Sequence, residues 1–176
     1  MIRYFKKAIP LSIIATGIMA SASFADTFTL RVGSGHPSKP TAYVTNMEKV
    51  LVPNIKKRVA AETKHKVRII EAYAGKIAKV HETLEAVEKG LLDIGSYCVC
   101  FETAKLLPWN FDYFVPFTTT NLETNWAVKH KILKQFPYLT KMLEDKYNQK
   151  FIAMQGFDDY GLGTVKQWQK ASELKG

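Results

Sequence analysis

The run from Val67 to Gly95, VRIIEAYAGKIAKVHETLEAVEKGLLDIG, constrains the fold of this chain more than any other segment, because it reads as a complete strand, helix, strand unit. Val67, Ile69 and Glu71 alternate with Arg68, Ile70 and Ala72 in the period of a short strand, and Gly75 permits the turn that follows. Ile77, Val80, Leu84, Val87 and Leu91 then recur at spacings of three and four, which lines them on one helical face with Lys79, Glu82, Glu85 and Lys89 outside it. Gly90 is placed to end that helix. Leu91, Leu92, Ile94 and the run Ser96 to Phe101 predict a second, largely apolar strand of the kind a parallel sheet covers on both faces. Such a unit requires a right-handed crossover and a sheet with helices around it.

The flanking sequence extends the alternation. Phe28, Leu30 and Val32 alternate with Thr27, Thr29 and Arg31, predicting a first strand that runs into Gly33-Ser34-Gly35-His36-Pro37. Ser38 or Thr41 is placed to cap the next helix, whose apolar stripe includes Tyr43, Met47, Val50, Leu51, Ile55 and Val59. Pro53 interrupts it, and an interior proline removes a donor and crowds the preceding turn, so a kink or restart is expected there. From Leu106 to Thr120 the chain turns aromatic and proline-rich (Pro108, Trp109, Phe111, Tyr113, Phe114, Pro116, Phe117), which predicts a packed connection. Asn121 caps a further helix through Trp126, Ile132 and Leu133, Pro137 ends it, Tyr138 to Tyr147 reads as a short helix, and Phe151 to Met154 as a final strand. The expected fold is an α/β layer with mostly parallel strands.

Arg3, Lys6 and Lys7 precede an apolar run from Ala8 to Ala20, and small residues at Ser23 and Ala25 frame a cut before Asp26, so residues 1–25 read as a secretory signal and the mature chain as periplasmic. The apolar run is shorter than the ~20 residues a membrane span needs. Removing residues 1–25 takes away three basic residues and no acidic ones, so a formal charge of +9 becomes +6. A basic balance suits nucleic acid, acidic membrane surfaces or anionic solutes, and export argues against nucleic acid. The one tight run, Lys56-Lys57-Arg58, reads as a solvated helix face. Cys98 and Cys100 are the only thiols. In a strand their Cα atoms would lie roughly 6.5 to 7 Å apart, at or past the limit for bridging, so two small buried side chains are expected in place of a disulfide. His36, His65, His81 and His130 are scattered without metal-ligand spacing.

In order and spacing, the Gly loop at Leu30 to Pro37, the turn Ala74-Gly75-Lys76, the segment Glu82 to Gly90, Leu92-Asp93-Ile94-Gly95, Phe111 to Phe117 and the closing Glu173-Leu174-Lys175-Gly176 resemble the solute-binding proteins of tripartite ATP-independent periplasmic (TRAP) transporters, dicarboxylate-binding type. The resemblance implies a periplasmic binding protein type II-like fold of two lobes, and a receptor that captures a small organic acid for ion-gradient-driven uptake. Its expected partners are the small and large integral membrane subunits of the transporter, with no nucleic acid and no cofactor. About 150 mature residues suit one lobe. The expected organisation is an N-terminal α/β lobe over residues 26–154 and a crossover segment over 155–176, entering a second lobe that is largely missing.

Ligands in open α/β sheets settle outside the carboxyl ends of strands, and three strand exits qualify. At the first, Gly35 and its neighbours let backbone amides approach an anion and His36 adds a donor. At the second stand Tyr97, Cys98 and Phe101, with Cys98 where the resemblance implies a pocket side chain. At the third, Tyr160 offers a hydroxyl to a carboxylate, while Asp158 and Asp159 would repel one unless neutralised. The arginine clamp that the resemblance implies has no match here, since Arg31 and Arg68 alternate with apolar strand residues and face away from the core. No nucleophile elbow, His-Glu-x-x-His helix, phosphate loop or catalytic carboxylate pair occurs, so an enzyme is not expected. The competing readings are a truncated non-binding remnant or exported structural module, and a secreted thiol protein using Cys98 and Cys100.

Overall fold

The computed structural model describes residues 25–115, 119–156 and 163–174. Almost all of the expected signal segment, Pro116-Phe117, Asp158 to Tyr160 and Lys175-Gly176 lie outside the described residues.

Three parallel strands form one sheet in the order β2-β1-β3. β1 (Thr27–Gly33) sits in the centre, paired along its whole length with β2 (Lys66–Ala72) and at its last two residues with β3 (Ile94–Gly95). The register sets Val32 opposite Glu71 and Ile94, and Gly33 opposite Ala72 and Gly95. The expected parallel α/β layer is therefore present, but it is narrower than the apolar runs suggested. β3 spans two residues only. Ser96 to Phe101 does not continue it, because the chain bends into a 3₁₀ turn over Val99–Glu102. Phe151 to Met154, expected as a final strand, joins no sheet, and Phe151 and Met154 pack instead against a helical core.

Between β1 and β2 the helix is continuous but changes pitch. α1 (Ala42–Asn46) passes into a π segment (Met47–Leu51), then α2 (Val52–Glu62), where Pro53 occupies the first turn. This is the restart expected at Pro53, and its cause is visible: the Val52 N–H reaches back five residues to the Met47 carbonyl, widening the turn ahead of a residue that has no N–H of its own. Thr41 is the N-cap, but its side chain makes no capping bond, and the Ser38 hydroxyl donates to Glu48. Val44, Met47 and Val52 bury against Val32 and Tyr73, with Leu30, Ile69 and Ile94 alongside, which covers one face of the sheet. Lys56, Lys57 and Arg58 are exposed, and Arg58 pairs with Glu62 one turn on.

The helix expected from Ile77 to Leu91 is shorter. A 3₁₀ turn (Val80–Glu82), opened by a Lys79 N–H donated to Glu82, leads into α3 (Thr83–Glu88), and Gly90 ends it at φ +67°. Ile77 and Leu91, assigned to its buried stripe, are exposed; Ala78, Leu84, Ala86 and Leu92 fill the core instead. Ala78, Ala86 and Leu92 pack together, and Leu92 meets Gly33. Leu84 belongs to a second core, built with Leu106, Trp109, Leu133, Leu139 and Leu143. That core joins the 3₁₀ segment Leu107–Phe114 to α4 (Leu122–Gln135) and α5 (Tyr138–Tyr147). Asn121 caps α4 as expected, its side-chain Oδ1 accepting the Thr124 N–H at 2.8 Å. Among the described residues, no helix is long and apolar enough to cross a membrane.

Trp109 is 2% exposed and its indole N–H donates to the Leu139 carbonyl at 3.1 Å. Truncation to alanine removes a large buried area and leaves that carbonyl without its donor, so Trp109→Ala is expected to lose about 3–5 kcal/mol of unfolding free energy, read from urea denaturation. The strap between β1 and β3 makes a second expectation. Hydrogen bonds from Arg31, set against a smaller cost of burial, hold the Asp93 carboxyl below its ordinary value. A depressed carboxyl contributes stability above its unfolded value of about 3.9 and loses it as pH falls through the folded one, so Asp93→Asn should flatten the fall in urea midpoint between about pH 5 and pH 2.

Candidate functional site

The strand order fixes where a site belongs. β1 leads through α1 and α2 to β2 on one side, and β2 leads back across it to β3 on the other, so the connections diverge at the carboxyl ends of β1 and β3. The loop Ser34 to Pro37 and the segment Ser96 to Phe101 form that mouth. It is held from several sides. The Ser34 N–H donates to the Ala72 carbonyl at 3.1 Å and the Ser96 N–H to the Gly33 carbonyl at 3.0 Å. The turn after β2 is pinned to the same loop by Ala74 N–H to the His36 carbonyl and Gly75 N–H to the Ser34 carbonyl. Ala74 and Gly75 both have positive φ, and at Gly75 the missing Cβ makes that conformation cheap.

Four rings meet at this mouth. His36 Nδ1 lies 2.5 Å from the Tyr43 hydroxyl, and its ring centroid is 5.2 Å from that of Phe101. His81, from the turn before α3, stands edge-on to Phe101 at 5.3 Å, and its Nδ1 is 3.2 Å from the Phe101 carbonyl. Tyr43 projects from α1 toward the Ser34 side chain and the Cys98 backbone. Burial pushes its phenol above the ordinary range, against the opposing pull of those two neighbouring groups. The mouth is therefore an aromatic, weakly polar lining with a phenol and an imidazole in mutual contact.

Of the residues expected there, His36, Cys98 and Phe101 do converge. Tyr97 stands behind them: it packs on the helical core and its hydroxyl donates to Gln149 Oε1 at 3.3 Å. Burial first, then the carboxylates of Glu102 and Glu85, push its phenol upward. Gly35 stands at the same exit with its amide engaged. Its N–H donates to Thr83 Oγ1 at 3.3 Å and the next N–H, of His36, donates to Ser34 Oγ at 3.2 Å, so both amides are already occupied. The space over Gly35 is filled by chain, with a Cβ there falling 2.2 Å from the Val80 nitrogen. The missing Cβ at this position is what permits that close backbone approach. Asp158 and Tyr160 lie outside the described residues.

The thiols also depart from expectation. Cys98 and Cys100 are disulfide-bonded, with Cα atoms 5.2 Å apart. The strand spacing that argued against a bridge does not apply, because residue 98 is extended but the following turn is 3₁₀, which shortens the span. Among the described residues, no arginine faces the mouth. Arg31 is tied to Asp93 through Nε and Nη2, and Arg58 to Glu62. Arg68 pairs in register with Thr29, toward the opposite end of the sheet, and is exposed.

Ser34, Tyr43, Thr83, Asn46 and Gln155 were not picked out as site residues in the sequence. Thr83 is fully buried and joins two parts of the mouth, accepting from Gly35 and donating to the Lys79 carbonyl. Asn46, on α1, donates to Gln155 Oε1 at 2.9 Å and so tethers the 151–156 segment to the same helix as Tyr43. A sequence signal existed for Tyr43 alone, as the first residue of the α1 stripe next to the loop. Two concavities lie off the mouth. One of about 330 Å³ runs along α3 between Ile77, His81, Glu85 and Lys89, and another of about 760 Å³ lies among residues 164–169 and Glu173. The latter is bounded by exposed chain, and neither contains the β1 and β3 exits. No group of three or more metal-ligating side chains occurs among the described residues.

Gly35→Ala should displace Val80 or the loop and lose about 1–3 kcal/mol in urea unfolding, with the His36 and Tyr43 resonances shifting more than those of α5. The chain matches no protein-family model, no curated protein and no solved structure, so what is established about it is a three-stranded parallel sheet flanked by helices, with an aromatic mouth at its β1 and β3 exits.

Proposed function

We propose that this chain is an extracytoplasmic solute receptor of the TRAP type, with a periplasmic binding protein type II-like lobe that captures a small organic anion for uptake driven by an ion gradient. The observation that carries the reading is the convergence of His36, Tyr43 and Ser34 from one side with Cys98 and Phe101 from the other, at the strand exits where open α/β sheets take ligands. The ordered series of sequence motifs over the chain supports it, as does the basic balance that follows removal of residues 1–25. In such a receptor the ligand draws contacts from both sides of a cleft, and only the closed form completes them, which shifts the equilibrium toward closure. The partners on this reading are a carboxylic acid and the transporter's integral membrane subunits, and the chain is a binder and not an enzyme.

A second reading, an exported structural module that holds no solute, is favoured by a different observation. The loop amides at Gly35 and His36 are internally satisfied, and Arg31 and Arg58 are committed to carboxylates. A phenol, an imidazole and a hydroxyl without a guanidinium suit binding in the millimolar range, about 4 kcal/mol.

Titration of ¹⁵N-labelled residues 26–176 with succinate, pyruvate and benzoate separates the two. The receptor reading expects at least one acid to shift the amides of His36, Tyr43 and residues 96–101 saturably. Absence of saturable shifts up to tens of millimolar, or shifts confined to Lys56, Lys57 and Arg58, would favour the module.

A further inference from the structure

The bridge between Cys98 and Cys100 closes across a single residue, Val99, and both sulfurs belong to one turn. It ties no distant elements together. Because the stabilising effect of a crosslink grows with the length of the loop it closes, this one constrains the unfolded chain little. Its effect is local, and the local structure is the mouth. Cys98 places its backbone beside Tyr43 and offers its Sγ to the Cys100 N–H at 3.3 Å. Directly after Cys100, Phe101 inserts its ring between His36 and His81 and presents its carbonyl to His81. The β1 exit loop, α1 and the turn before α3 each therefore approach the four residues Cys98 to Phe101 that contain the bridge. Neither cysteine is buried, each being partly exposed.

We propose that the Cys98–Cys100 disulfide is a redox latch on this mouth: closed, it holds Phe101 between the two imidazoles, and reduced, it releases them. The step is ordinary thiol–disulfide exchange with a dithiol donor. One donor thiolate attacks a bridge sulfur, forming a mixed disulfide and freeing the other cysteine; the donor's second thiol resolves it. The donor leaves oxidised, as a disulfide, and Cys98 and Cys100 together gain two electrons and two protons. Released from the bridge, the Val99–Glu102 turn is still held at the Val99 carbonyl by Asn110, at the Cys100 carbonyl by Thr103 and at Glu102 by Lys105, but the path from Cys98 to Phe101 is free to lengthen toward the extended spacing that the sequence alone suggests. The inference concerns the stacked rings, and its test does not depend on the mouth's taking a carboxylate.

The test uses the full chain purified without reductant. Thiol counting after denaturation is expected to give no free thiol, and two after treatment with dithiothreitol. The imidazole Cε1–H resonances of His36 and His81, assigned with His36→Gln and His81→Gln, are expected to move on reduction as the Phe101 ring leaves them. The Cys98→Ser, Cys100→Ser double variant should show the reduced spectrum under oxidising conditions, and Phe101→Leu should show no further movement on reduction. The thermal midpoint should change by no more than a few degrees. Two free thiols in the untreated protein would overturn the proposal. Imidazole resonances that stay in place on reduction would overturn it equally, and cooperative unfolding on reduction would make the bridge a structural staple instead of a latch.

Discussion

β1 is the one described strand with a partner on each side, and the mouth exists because its carboxyl end is clamped between two others. The clamp is unequal. Against β2 it consists of a full parallel ladder, whereas against β3 it rests on two paired residues and on Asp93. The Asp93 N–H donates to the Arg31 carbonyl, its carboxylate accepts from the Arg31 N–H at 2.7 Å, and the guanidinium closes over both carboxylate oxygens. Both side chains are partly exposed, so the ion pair itself adds little; its worth is in fixing the register of a strand too short to fix its own.

Close backbone approach follows from that clamp. A Cβ at Gly33 would fall 2.5 Å from the Ala72 carbonyl oxygen, one at Gly95 2.5 Å from a Val87 methyl, and one at Gly35 onto Val80. Gly35 and Gly95 let α3 and its leading turn press onto the sheet at the strand exits, Gly33 lets Ala72 and Leu92 close in on β1, and Thr83 takes up the amide that the approach would otherwise strand. A loop that resembles a ligand-binding glycine turn is thereby filled with protein. What lines the mouth is rings and a hydroxyl, from His36, Tyr43, His81 and Phe101.

The helical core around Trp109 stands apart from the sheet in composition and is joined to it through Leu84 and a buried polar cluster. Gln149 bridges Tyr97 and the Leu84 carbonyl, and Lys105 holds Glu85 and Glu102 together, the latter 5% exposed. That cluster sits under the segment from Tyr97 to Glu102, so the turn carrying Phe101 is anchored from below by charge pairs and from its own ends by the disulfide. Burying Glu102 with one oxygen lacking a described partner is costly, and Lys105 offsets part of it.

Periodicity and punctuation were enough for the strands β1 and β2, the restart at Pro53, the stop at Gly90, the Asn121 cap and the solvated run at Lys56 to Arg58, because each depends on bonds within a few residues. The sequence by itself also determined the parallel alternation of strand and helix, and which loops could meet at one end of a sheet. Only the tertiary structure decided the rest. Ser96 to Phe101 reads as a strand by its apolar run, yet with just two residues of β3 paired to β1 it turns away, and in turning it brings two cysteines within bridging distance that a pleated strand would hold apart. Ile77 and Leu91 fit a helical stripe by spacing, but the helix between them is too short to carry both to the core. The pairing of His36 with Tyr43 and of Phe101 with two imidazoles is likewise absent from any local pattern, since those residues come from four separate segments and meet only once the sheet order is set.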